Sequence, residues 1–179
     1  MKTRLLNLAL YQGGWFACVF GAADGYPWLG AGAALLLVGT HAALARERRA
    51  EWRLILLAGA LGTLIDSVLM HLGLFRFTSG HWLAWLCPVW MSVMWMQFAT
   101  LLRYSVSWLR GRYLLGAVLG AAGGPLAYAS GVRLGAAAFG WPTGYSLLAL
   151  ALVWSVVTPA LLWLEQTTRA VPEPGAYRL

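Results

Sequence analysis

The chain reads as an all-α, polytopic transmembrane helix bundle of about six spans with both termini cytoplasmic. Three observations predict this. Of its 179 residues 60% are hydrophobic and only 11% charged, where a soluble domain carries about 25% charged residues. The apolar residues fall into runs approaching the ~20 residues that a helix needs to cross a bilayer. The basic residues alternate between the two sides these runs define. Lys2, Arg4, Arg46, Arg48, Arg49, Arg53, Arg103, Arg110, Arg112, Arg169 and Arg178 fall on one side, and only Arg76 and Arg133 on the other. Such a bias marks the first side as cytoplasmic.

The other bulk properties fit the same class. The net charge of +7 sits in short clusters at span ends, where it orients the chain and meets anionic head groups, so nucleic acid is not an expected partner. Cys18 and Cys87 lie in apolar runs without CxxC spacing, which points to inert buried thiols. Lys2 and Arg4 precede an apolar stretch, but Asn7, Gln12 and Gly13-Gly14 interrupt it. We therefore read it as the first span and not as a cleaved leader.

Span 1 covers about 5–23. Asn7, Tyr11, Gly14, Cys18 and Gly21 recur along it at a spacing that places them on one narrow helical stripe, a packing face. Ala23-Asp24-Gly25-Tyr26-Pro27 is a turn. Span 2, about 28–45, carries His41 and leads into the basic loop 46–53. Span 3, 54–74, is the central one, because it holds Asp66 near its middle. A carboxylate at that depth costs roughly 2.5–3.5 kcal/mol on insertion scales and should face protein. The wheel assigns Leu54, Leu57, Ala58, Leu61, Leu64, Ile65, Val68, Leu69 and Leu72 to lipid. It assigns Gly59, Gly62, Thr63, Asp66, Ser67, His71 and Gly73 to the interior. Asp66 and His71 stand about 140° apart and cannot bond directly in a regular helix, whereas Ser67 and His71 can.

Span 4, about 82–103, has Pro88 near its start and a Trp- and Met-rich centre, read as packing. Span 5, about 113–138, pairs Gly116 with Gly120 for close approach. Gly123-Gly124-Pro125 then predicts a kink or break. Span 6 is about 145–164, and 165–179 is expected to be a loose cytoplasmic tail. Trp28, Trp82, Trp85 and Trp141 fall at the outer interface and Trp52, Trp108 and Trp163 at the inner one, an aromatic belt that agrees with the charge count.

Several stretches in the middle of the chain carry a resemblance. They are Leu64-Ile65-Asp66-Ser67, Gly73-Leu74-Phe75-Arg76-Phe77, Pro88-Val89-Trp90, Trp95 to Leu101, Ser107-Trp108-Leu109, and Gly123-Gly124-Pro125-Leu126-Ala127-Tyr128 with Gly131, Arg133, Leu134 and Gly135. Together they resemble an uncharacterised bacterial inner-membrane family, domain of unknown function 2878. The resemblance implies a small proteobacterial inner-membrane protein, of a kind encoded beside enzymes that modify fatty acids or membrane lipids. It carries over no catalytic residues. Arg103-Tyr104 departs from the more polar Asn-His-like pair expected there.

Two groups of residues are candidate sites. An outer polar cluster joins Asp66 and Tyr128, with Ser67, His71 and, if the break bends span 5 inward, Arg133. Its function would be binding or proton handling, and its structural alternative a clamp between spans 3 and 5. An inner polar layer comprises Asn7, His41, Gln97 and Thr158. The three histidines do not share a level, so no metal site is expected, and no motif fixes a cofactor.

The function these features suggest is binding of a lipid or other hydrophobic ligand, or an accessory role in membrane-lipid metabolism. The ligand would enter between spans 3, 4 and 5 with the outer cluster at its polar end. Membrane lipids are the expected partners, together with a membrane-protein partner or a second copy. The alternatives are a small transporter, which needs span 5 to be broken beside Asp66, and a structural subunit. An enzyme is the least supported reading, since no nucleophile has an evident base.

Overall fold

A computed structural model describes residues 2–77 and 79–169. Among these residues six helices form the bundle: α1 (Lys2–Ala23), α2 (Pro27–Leu44), α3 (Arg48–His71), α4 (Val89–Leu102), α5 (Tyr113–Arg133) and α6 (Thr143–Thr167). Five of them are long and apolar enough to cross a membrane, and α4, at 14 residues, is shorter. The protein is thus an all-helical, multi-pass membrane protein. One small addition is an antiparallel pair of two-residue strands, β1 (Phe75–Arg76) and β2 (Ala138–Phe139), with Phe75 opposite Phe139 and Arg76 opposite Ala138. It ties the α3–α4 connection to the α5–α6 connection.

The helices pair as α1 with α2, α3 with α4 and α5 with α6, and α4 also packs on α1 and α2. Small residues set these contacts. A Cβ on Gly30 of α2 would overlap the Ala17 carbonyl of α1, and Cβ atoms on Gly120 and Gly124 would overlap Thr158 and Trp154 of α6. The α5 glycines therefore form the seam with α6, the close approach that a GxxxG pattern permits. Gly25, with φ +82°, makes the tight α1–α2 turn in a left-handed conformation that other residues resist.

Four expectations are corrected. Residues 82–88 are not helical, so span 4 begins at Val89. Trp82, Leu83 and Trp85 are exposed and look apolar because they suit the membrane interface, where aromatic side chains gather. Second, α5 runs unbroken through Gly123-Gly124-Pro125 and stops at Arg133, so the broken span that a transporter required is absent. Neighbouring helices supply packing that tolerates proline inside a span. Third, the lipid arc of α3 is only half right. Leu57, Leu64, Val68 and Leu72 are exposed, but Leu54, Ala58 and Leu69 are buried. Fourth, α6 continues to Thr167, and Glu165, expected in a loose tail, is buried. The tail from residue 170 lies outside the described residues.

Candidate functional site

The site begins with Gly62 on α3. It has no side chain, and the indole of Trp95 from α4 occupies the place where a Cβ would stand. This close approach puts the Trp95 N–H one helical turn along, where it donates to Asp66 Oδ2 at 2.6 Å. From α5 the Tyr128 hydroxyl donates to Asp66 Oδ1, also at 2.6 Å. Both carboxyl oxygens are thus bonded by neutral donors. Asp66 is fully buried and, among the described residues, forms no ion pair.

The packing extends outward from Trp95. Its ring stacks on Trp154 of α6, with centroids 4.8 Å apart and planes 6° from parallel. Gly124 of α5 leaves the space that Trp154 fills. Two indoles are therefore layered between two glycines, and the layer crosses four helices. Tyr128 is held from its other face by Phe75 at 5.0 Å, which in turn contacts Phe139 across the strand pair.

Other members of the predicted outer cluster lie apart from Asp66. Ser67 accepts the Cys87 N–H at 2.9 Å and donates to the Thr63 carbonyl at 2.6 Å. It pins the non-helical segment before α4 and does not bond His71. His71 is exposed and pairs with the Trp85 carbonyl at 2.9 Å. Arg133 is exposed at the end of α5 and makes no ion pair among the described residues.

Beside this arrangement lies a cavity of about 350 Å³, within the range of small-molecule sites. Its walls come from α1, α4, α5 and α6, with Phe75 and Phe77 near one end and Trp108 near the other. Tyr128 and Trp95 line it, while Asp66 stands behind them. Among the described residues no Asp, Glu, Lys, Arg or His lines it. The expected entry between spans 3, 4 and 5 is thereby corrected. α3 contributes nothing to the lining, because its glycine face is filled by Trp95 and Met96, and α1 and α6 take its place.

The inner polar layer divides. Asn7 Nδ2 donates to His41 Nδ1 at 3.3 Å and to the Thr100 carbonyl at 3.0 Å. A donor at Nδ1 leaves the proton on Nε2, which meets Glu51 Oε1 at 2.9 Å. Gln97 Nε2 donates separately to the Ala34 carbonyl at 3.1 Å. Thr158 stands apart on α6, where it packs against Gly120 of α5 and lines the cavity.

The residues that complete the layer were missed. Arg103 stands between two buried carboxylates, Glu51 at 3.3 Å and Glu165 at 3.6 Å, and donates to Thr168 at 2.9 Å. Arg110 and Arg169 also reach Glu165. Asn7 Oδ1 accepts from the Ser105 hydroxyl at 2.6 Å. The Tyr104 ring lies edge-on to His41 at 4.9 Å. Burial, then the negative charge of Glu51, raises the Tyr104 phenol above its usual range. The sequence offered one signal, the unusual Arg103-Tyr104 pair. Glu51 was masked by the arginines around it. Asn7, His41, Glu51, Arg103 and Glu165 thus tie α1, α2, α3 and α6 to the end of α4, whereas Gln97 Oε1 and Thr158 Oγ1 have no hydrogen-bond partner among the described residues.

A family model described as a protein of unknown function, DUF2878, matches residues 4–160, and the chain belongs to that family. No curated protein matches it, and neither does any solved structure.

Proposed function

For this member of a family without assigned function, we propose an inner-membrane protein of bacteria that binds a lipid or another hydrophobic ligand in support of membrane-lipid metabolism. The observation that carries the reading is the uncharged cavity of about 350 Å³ between α1, α4, α5 and α6. The cavity opens partway to the surface of the bundle, and a cleft of this size, walled by aromatic rings and glycines, suits an apolar occupant. Asp66 serves the site indirectly by fixing the Tyr128 and Trp95 rings that form its wall.

Gly123 and Gly131 line the cavity, and a Cβ on either would meet open space. Gly123→Phe should therefore fill the cavity without disturbing the fold. Gly32, which also has open space and is exposed outside the cavity, provides a control. Native mass spectrometry of the purified protein should find co-purifying lipid with wild type and Gly32→Leu, and little with Gly123→Phe. Equal lipid in all three would remove the basis for the proposal. The distribution of basic residues further supports cytoplasmic placement of both termini. Reporter fusions active only in the cytoplasm should be active at either end.

A further inference from the structure

The cavity has a shape as well as a volume. On α4 it is lined by Trp90, Met94, Phe98 and Leu102, and on α5 by Leu119, Gly123, Ala127 and Gly131. Both series advance four residues at a time, so each is a stripe along one face of its helix. Each stripe is roughly 18 Å long. Phe77 meets Trp90 at the start of α4, and Phe75 stacks on Tyr128 in the last turns of α5. The two stripes therefore lie side by side and run in opposite directions. Tyr11 to Val19 on α1 and Trp154 to Leu162 on α6 add shorter stripes of the same spacing. The cavity is a slot parallel to the helices.

About 350 Å³ spread over roughly 18 Å leaves a mean cross-section of about 20 Å². Carbon atoms in contact stand about 3.5–4.0 Å apart, so this section admits one file of carbons. Two chains abreast, or a fused-ring system, exceed it. The slot also resists widening at its middle, because Trp95 and Tyr128 are both bonded to Asp66 and Trp95 is stacked on Trp154. Its walls pack together in the order α1, α4, α6, α5. The ring stays open between α5 and α1, which are not a packed pair. Among the described residues no charged side chain lines the slot, so an ionic head group inside it would be unpaired, which is strongly unfavourable.

Resting on the proposal that the cavity binds a hydrophobic ligand, we infer that this ligand is an amphiphile with a linear hydrocarbon chain, and that the slot takes one such chain lengthwise. The head group stays outside, beyond the gap between α1 and α5. A zig-zag chain with bonds of about 1.5 Å advances roughly 1.25 Å per carbon, so the slot holds about 14 carbons. A lipid with two chains seats one and leaves the other in the bilayer. Gly131 stands at the end of the α5 stripe, and a Cβ there would meet open space. This glycine therefore sets how long a chain the slot accepts.

The test is a competition on detergent-purified full-length protein. Methyl parinarate, a linear fluorescent polyene ester, is the reporter, and energy transfer from the protein's tryptophans records its binding. Transfer in Gly123→Phe gives the background. The competitors are saturated methyl esters of about 10 to 20 carbons, bracketing the length of the slot, and methyl cholanate, a fused-ring ester, all matched by mole fraction in the micelle. We expect displacement to strengthen with chain length up to about 14 carbons and then to level off, as further carbons gain no wall contacts. Methyl cholanate should be at least about tenfold weaker than the best linear ester, the usual effect of overpacking a rigid site. Gly131→Leu should move the plateau to chains about four carbons shorter, one helical turn.

Methyl cholanate as effective as the linear esters would overturn the single-file assignment. Displacement that is independent of length, or that keeps rising to the longest ester, would overturn the assigned length. A plateau unmoved in folded Gly131→Leu would overturn the role given to that glycine. The wild-type comparisons hold even if Gly131→Leu does not fold. If reporter transfer in wild type does not exceed the Gly123→Phe background, the hydrophobic-ligand proposal itself fails, an outcome distinct from binding without selection for shape.

Discussion

Asp66 is bonded by two donors, and they differ in what they can tolerate. The Trp95 indole only donates, whereas the Tyr128 hydroxyl can also accept. In Asp66→Asn the amide oxygen can serve Trp95 while the amide N–H serves Tyr128, so the fold should lose little. Asp66→Leu leaves both donors buried and unpartnered and should cost about 2 kcal/mol or more. Cys18 and Cys87 are free and buried, so a thiol-reactive dye can follow unfolding. Leucine should lower the melting temperature well below asparagine, and equal melting would contradict the bonding described. Arg103 is the second sensitive residue. Arg103→Gln removes the shared counter-charge of Glu51 and Glu165 and should cost about 3–5 kcal/mol, the usual effect of breaking a buried pair. The same dye would record it. At this scale the sequence made Asp66 legible because a mid-span carboxylate is rare. It did not reveal Trp95 as a partner, since the meeting depends on Gly62 bringing two helices close, a tertiary fact.

Among the elements, glycine was a better guide to packing than leucine. The face of α3 holding Gly59, Gly62 and Asp66 is buried as the wheel predicts. Leu54, Ala58 and Leu69, expected to face lipid, are buried as well. Lipid tails are as apolar as leucine, so hydrophobicity cannot tell a lipid-facing leucine from a core one. In α5 the consecutive glycines have opposite environments. Gly124 abuts Trp154, while Gly123 faces open space. Gly124→Leu should therefore prevent stable accumulation, whereas Gly123→Leu should leave the amount of folded protein unchanged. Gel filtration of detergent extracts would separate the two, and similar behaviour would refute the α5–α6 seam. What read as a helix breaker is a seam and a cavity wall, because Gly-Gly-Pro weakens an isolated helix but allows close packing in a bundle.

For the molecule as a whole, the α5–α6 hairpin behaves as a semi-independent unit. It docks on the rest mainly through α6, the strand pair and the inner charge clamp. Its connection to the preceding helices passes through Gly111, exposed at φ +73°. Helices that form independently in the bilayer can associate afterwards. Co-expressed fragments 1–112 and 113–179 should accordingly co-purify, and Arg103→Gln in the first should reduce the yield several-fold. Failure of the wild-type fragments to associate would show that the hairpin needs its covalent link. That the chain folds into long apolar helices was legible from hydropathy. The cavity was not, because it arises where α1 and α5 are held apart, and no local pattern encodes a gap.

The Trp95–Trp154 stack gives the protein an optical property of its own. Two indoles stacked at 4.8 Å couple their excited states, and an in-plane twist between their transition moments turns that coupling into a pair of circular-dichroism bands of opposite sign. The pair would collapse if α4 and α6 separated, so the difference between wild type and Trp154→Phe reports their contact without any label. It provides an internal gauge of the bundle, readable on the purified protein in detergent.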